Sequence, residues 1–142
     1  MKILSYGKDG GQKSNVWGFW LIEIKSMFSI VFLCFEKGSR EAYHSHAFNA
    51  LTWFVKGEVD EHHVDGRVLN WKPSFMPKYT PRDCFHKVYS KKRTFAICLR
   101  GPWVDKWKEW SGESKELTTL THGRKVVSKE KKNDFEATVR IR

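Results

Sequence analysis

Residues 38–57 read GSREAYHSHAFNALTWFVKG, and this stretch decides how the chain is read. It places His44 and His46 two residues apart between Gly38 and Gly57. On an extended strand, side chains at i and i+2 share a face, so both imidazoles point the same way. Two adjacent imidazoles can chelate one ion, and histidine is a common ligand of zinc, iron, copper and nickel. Such a site needs at least one further ligand from another strand. His86, after the turn Pro81-Arg82-Asp83, is the candidate.

Working outward, the flanking segments read as short strands. Val16 to Ile24 is rich in aromatic and branched residues. Phe28 to Glu36 is a continuous apolar run, the pattern of a strand buried on both faces. Ala42 to His46 and Leu51 to Val55 flank a turn at Ala47 to Asn49. Val59 to Val64 and Arg67 to Trp71 read as a hairpin closed by Asp65-Gly66, with positive φ at both turn positions. Pro73, Pro77 and Pro81 exclude a helix between Lys72 and Asp83. His86 to Tyr89 and Thr94 to Leu99 are further strands, ended by Gly101-Pro102. Val104 to Trp110 suggests a short helix or turn. About eight short strands with frequent turn signals predict an all-β sandwich or closed barrel. Residues 1–15, polar and Gly-rich, read as a loose lead-in. Residues 16–111 form the barrel, and 112–142 a basic extension. In that extension Lys129 to Asp134 is a solvent-exposed charge run, and Glu136 to Arg142 alternates as one edge strand.

Composition narrows the function classes. Aromatics make up 15% of 142 residues, seven of them Trp, which argues against bulk disorder. No apolar run approaches the roughly 18–20 residues of a membrane span. Met1 to Gly11 lacks the basic start and apolar core of a signal peptide, so the expectation is a cytoplasmic protein without membrane association. Cys34, Cys84 and Cys98 are odd in number and dispersed, which is not a disulfide framework. Cys34 and Cys98 read as buried small hydrophobes, and Cys84 shares a face with His86. There is no G-x-S-x-G for nucleophilic hydrolysis and no phosphate-binding glycine loop. The net charge of +10 is spread along the chain, which reads first as a solvated, mildly basic surface and second as attraction to anionic partners, either small phosphorylated or carboxylated molecules or nucleic acid.

Gly38, five residues, His44-Ser45-His46 and then Gly57 resemble the first cupin motif, and Pro81, Asp83 and His86 resemble the second, with Asp83 in place of a glycine. Phe48, Asn49, Thr52, Tyr79, Pro81, Gly101, Pro102 and Trp107 extend the similarity to compact single-domain cupins of bacteria and their viruses, over roughly residues 16–110. The resemblance implies a double-stranded β-helix, a jelly-roll-like barrel holding a divalent metal (iron, manganese, nickel or zinc) on His44, His46 and His86. It also implies pairing of edge strands into a homodimer. The glutamate ligand of that motif would fall at Ala50 or Leu51, neither of which binds metal. A three-imidazole site leaves an ion its full charge and open positions, which suits an anionic substrate of a dioxygenase, isomerase or lyase. The same loss fits a non-catalytic cupin that sequesters a small molecule or nucleotide. A nucleic-acid-binding barrel is the third alternative, since aromatics among basic residues stack on bases.

Around the histidines, Glu61 is the candidate general acid or base, and Tyr79 a proton donor or orienting group. Arg82 can clamp a carboxylate or phosphate. Asn49, where related sequences carry Asp, and Trp53 are candidates for substrate contact. Phe54, Trp71 and Trp103 stand between pocket wall and core. His62 and His63, being adjacent, face opposite ways and cannot hold one ion together.

Overall fold

The protein was described as a computed structural model covering residues 1–135. The described residues form thirteen strands and one 3-10 turn, His122–Arg124. The strands are β1 (Lys2–Lys8), β2 (Val16–Ile24), β3 (Phe28–Phe35), β4 (Tyr43–His44), β5 (Ala50–Lys56), β6 (Val59–His63) and β7 (Val68–Trp71). They continue with β8 (Lys78–Thr80), β9 (His86–Ser90), β10 (Thr94–Arg100), β11 (Lys106–Ser111), β12 (Glu116–Thr121) and β13 (Lys125–Lys131). Two antiparallel sheets result, ordered β1-β2-β3-β10-β5-β8 and β13-β12-β11-β4-β9-β6-β7. This is the all-β double-stranded β-helix expected from the sequence. No described helix is long and apolar enough to cross a membrane.

Strict alternation builds the six-stranded sheet. Ser29, Val31, Leu33 and Phe35 of β3 point inward, as do Thr94, Ala96, Cys98 and Arg100 of β10 and Ala50, Thr52 and Phe54 of β5. Val31 has no exposed surface and packs with Trp20, Phe54, Val59 and Ala96 in one core. The continuous apolar run of β3 is nonetheless not buried on both faces. Phe32 is exposed on the outer side and Cys34 is half-buried, so a hydrophobic run here marks a one-sided strand with an apolar outer surface.

β2 breaks the alternation at one point. Its register against β3 shifts between Trp20 and Ile22, so Leu21 is an extra residue. Such a bulge advances the side-chain phase by one. Trp20 and Glu23, three apart, therefore both point inward. β1 follows β2 through the bend, with Leu4 at a positive φ of 49°.

Three parts of the chain differ from the sequence reading. Residues 1–15 contain β1, an edge strand that gains backbone pairing with β2 and little burial, so it carries no hydrophobic pattern. Val104 to Trp110 is mostly strand β11, and Trp107 and Trp110, three residues apart, point to opposite faces, Trp107 into the main core and Trp110 into a second cluster with Val64 and Leu117. Residues 112–135 add β12 and β13, and the charge run begins inside β13, whose residues are all exposed along the sheet edge. The proposed edge strand at 136–142 lies outside the described residues. The Asp65-Gly66 turn closes β6 and β7 as expected, but only Gly66 has positive φ, because four residues rather than two span the gap.

Leu117 and Leu120 of β12 are buried, Leu120 in the main core and Leu117 against Trp110. A chain ended at Ser111 loses both, at about 2–5 kcal/mol per leucine. It is expected to lack a cooperative thermal transition in circular dichroism, and a cooperatively folded 1–111 fragment would restore the boundary at 111.

Candidate metal centre and cavity

β4 and β9 are neighbours with His44 directly opposite His86. Directly opposite residues share a face, so these imidazoles meet. His46 lies just past β4, where its backbone N–H donates to the carbonyl of Arg82 at 3.0 Å. The three rings form a near-equilateral triangle, with centroids 4.9 Å apart for His44–His46 and His44–His86 and 5.1 Å for His46–His86. One ligand atom from each lies within 4.8 Å of the others.

The electrostatics suit a cation held by neutral imidazoles. Burial, aided by Arg40 and the neighbouring rings, holds His44 well below the usual histidine range. Burial, with His86 and Arg100, does the same for His46. His86 is also lowered, by burial against the opposing pull of Glu61. The buried Nδ1 atoms of His44 and His46 have no hydrogen-bond partner among the described residues. His86 Nδ1 is bonded to Glu61 Oε2. An ionised carboxylate only accepts, so Nδ1 carries the proton and Nε2 keeps its lone pair. The donor set thus fits a divalent ion.

Glu61 is the hub beside this triad. It is 1% exposed. Besides His86 it meets Lys78 Nζ at 2.7 Å, accepts from Trp71 Nε1 at 3.1 Å, and lies 3.0 Å from His63 Nε2. Burial alone would raise its pKa, but the His86 bond and the Lys78 charge outweigh burial and hold it far below the usual carboxylate range. Glu61 thus stands as a charged acceptor that supports His86. Cys84 Sγ lies 3.5 Å from His63 Nδ1, making Glu61, His63 and Cys84 a second group of possible ligands. Burial, reinforced by Glu61, pushes the Cys84 thiol up to about 11.

The triad opens into a cavity of about 360 Å³ between the sheets, the size of a small-metabolite site. Phe35, Phe48, Phe54 and Trp103 supply apolar wall, and Ala50 lines it where a carboxylate ligand was sought. Cations dominate the polar wall: Arg40, Arg100, Lys78, Lys2 and Lys25, against Asp9 and Glu23. Arg100 is 4% exposed and paired to Asp9 by a two-point contact of 2.5 and 3.4 Å. Arg40 donates to the Gly10 carbonyl at 2.7 Å and to Glu109 at 3.2 Å.

The remaining sequence candidates fall elsewhere. Tyr79 is 60% exposed and outside the cavity, because Lys78 and Thr80 take the inward positions of β8. Trp53 faces away from the core between inward Thr52 and Phe54. Asn49 and Arg82 bond to each other, Arg82 N donating to Asn49 Oδ1 at 2.8 Å, which ties the β8–β9 loop to the start of β5. Glu61 and His63 flank His86 on the side away from His44 and do not line the cavity. Arg100, Lys78 and Arg40 escaped the sequence reading. Arg100 had one available signal, a charge at an inward position of the alternation that buries Ala96 and Cys98.

No protein-family model and no curated protein matches the chain. Solved structures do. A cupin-superfamily sugar phosphate isomerase from Silicibacter pomeroyi covers 94% of each chain at 9% identity and TM-score 0.63. An RmlC-like cupin from Shewanella frigidimarina covers 67% of this chain and 81% of its own, at 19% identity and TM-score 0.52. A cupin-superfamily protein from Desulfitobacterium hafniense covers 66% and 84%, at 16% identity and TM-score 0.53. The chain has the cupin fold, with a histidine triad in the cavity between its sheets.

Proposed function

We propose that the protein is a metal-dependent cupin enzyme acting on a small anionic metabolite. The observation that carries this reading is the convergence of three neutral imidazoles, His86 buried and His44 and His46 half-buried, on a cavity with a cationic wall. His44, His46 and His86 hold the ion, and Glu61 orients His86 and keeps its proton on Nδ1. When bound, a divalent ion supplies Lewis-acid polarisation of a substrate oxygen. Lys2 and Lys25, which have no carboxylate partner among the described residues, draw the anion in, and the aromatic wall excludes water. Among the chemistries such a site supports, isomerisation or elimination next to a carbonyl asks least of the protein beyond positioning and charge. The fold shared with a sugar phosphate isomerase is consistent with it.

The test is metal content of untagged protein. Wild type should carry about one equivalent of a divalent metal, and His44→Ala/His86→Ala less than about a tenth of that. No metal in wild type, and none taken up when iron, manganese, nickel or zinc is offered, would sink the metalloenzyme and leave a cupin used for binding.

A further inference from the structure

Glu23 is 3% exposed, lines the cavity, and has no hydrogen bond or ion pair among the described residues. A buried carboxylate without a partner is costly. It is nevertheless delivered to the cavity by a specific device. Plain alternation from Trp20 would turn Glu23 to the outer surface beside Leu21, and the bulge at Leu21 turns it in. β1 accommodates that bulge with the positive φ of Leu4.

Its surroundings define what it would bind. Glu23 lies in a cross-strand row that runs from Lys2, directly opposite it on β1, through Ser29 and Arg100 to Ala50 and Thr80. Several buried polar atoms near it lack partners: Trp20 Nε1, Ser29 Oγ, Arg100 Nε and Trp103 Nε1. The two nearby amines are engaged with rings instead, Lys2 Nζ 4.1 Å from the Trp20 centroid and Lys25 Nζ 4.6 Å from that of Trp103. This wall therefore offers one strong acceptor among several donors. A plain anion would use the donors and be repelled by Glu23. A molecule with hydroxyl groups uses both, since each hydroxyl donates and accepts.

We propose that Glu23 is a substrate-binding residue that accepts hydrogen bonds from hydroxyl groups, so that the cavity selects a polyhydroxylated anion of monosaccharide size. The inference rests on the reading of the cavity as an anion site. About 360 Å³ admits a five- or six-carbon sugar acid or sugar phosphate.

Glu23→Gln separates the possibilities, because it removes the charge and keeps the shape. Without ligand its melting midpoint should rise, by roughly 2–4 °C or more. A fall in the midpoint would mean that Glu23 has a structural partner such as Lys2, and the proposal fails. Calorimetric titration of the metal-loaded protein then compares galacturonate with adipate and ribose 5-phosphate with pentyl phosphate. Wild type should prefer each hydroxylated member by tenfold or more, and Glu23→Gln should lose most of that preference. Equal binding within each pair overturns the hydroxyl assignment and leaves the anion site standing. Binding of none of the four overturns both.

Discussion

Replacing Glu61 by Ala is expected to destabilise the protein by about 3–5 kcal/mol, the cost of leaving a buried charge without its partner. The stranded charge is Lys78, whose side chain is 7% exposed and whose ammonium meets Glu61 at 2.7 Å. His86 and Trp71 lose their acceptor in the same step. Urea unfolding followed by tryptophan fluorescence measures the loss. Glu61→Ala with Lys78→Met should recover part of it, since the double variant removes both charges. The effect also reaches the metal. With Nδ1 of His86 released, metal affinity should drop 10–100-fold, the usual consequence of removing a carboxylate behind a histidine ligand. A loss below about 0.5 kcal/mol, the range of ordinary surface substitutions, would show that the hub does not hold the fold.

Gly57→Ala should be comparably severe for a different reason. Gly57 sits at φ 105°, a conformation open to glycine and strained for alanine. A Cβ there would lie 2.2 Å from Thr94 Oγ1 and 2.6 Å from Thr94 Cα. Thr94 cannot retreat: it is fully buried, accepts from Glu58 N at 3.0 Å, and donates to the Lys92 carbonyl at 2.9 Å. Overpacking and backbone strain together amount to roughly 2–5 kcal/mol. Gly38→Ala is the internal control. Its φ of 109° is similar, but nothing lies within 4 Å of the added atom. It should cost only the strain, about 1–2 kcal/mol. Equal melting midpoints for the two variants would refute the steric account.

These two glycines also show what was readable in the chain. Gly38, His44, His46, Gly57 and His86 stand at fixed spacings, and each needs a residue type that few alternatives satisfy, so pattern and structure agree on them. The strands β2, β3, β5, β9 and β10 were legible because runs of apolar, branched and aromatic residues between turn signals mark them. β1 and β13 were not, since an edge strand stabilised by backbone pairing needs no apolar face. Glu23 was hidden by the Leu21 bulge: a period-two reading puts it in solvent, and nothing local announces the extra residue. Tyr79 and Trp53 show the converse, being plausible by type and facing outward by parity. Lys78 and Arg100 carry no motif that sets them apart from the other cations of a chain of net charge +10, although both are buried.

The two walls of the cavity come from different sheets. His44 and His86 belong to the seven-stranded sheet, and Glu23, Arg100 and Thr80 to the six-stranded one. A molecule gripped at both walls is a strut between two otherwise separately hydrogen-bonded layers. Its length is then gauged by the gap between the layers, much as a caliper gauges its object, and not by any single side chain. Substitutions deep in the core that alter sheet spacing, such as those at Val31 or Val59, would thus retune ligand choice without touching the ligand. Occupancy in turn would stiffen the whole sandwich, coupling its rigidity to what it holds.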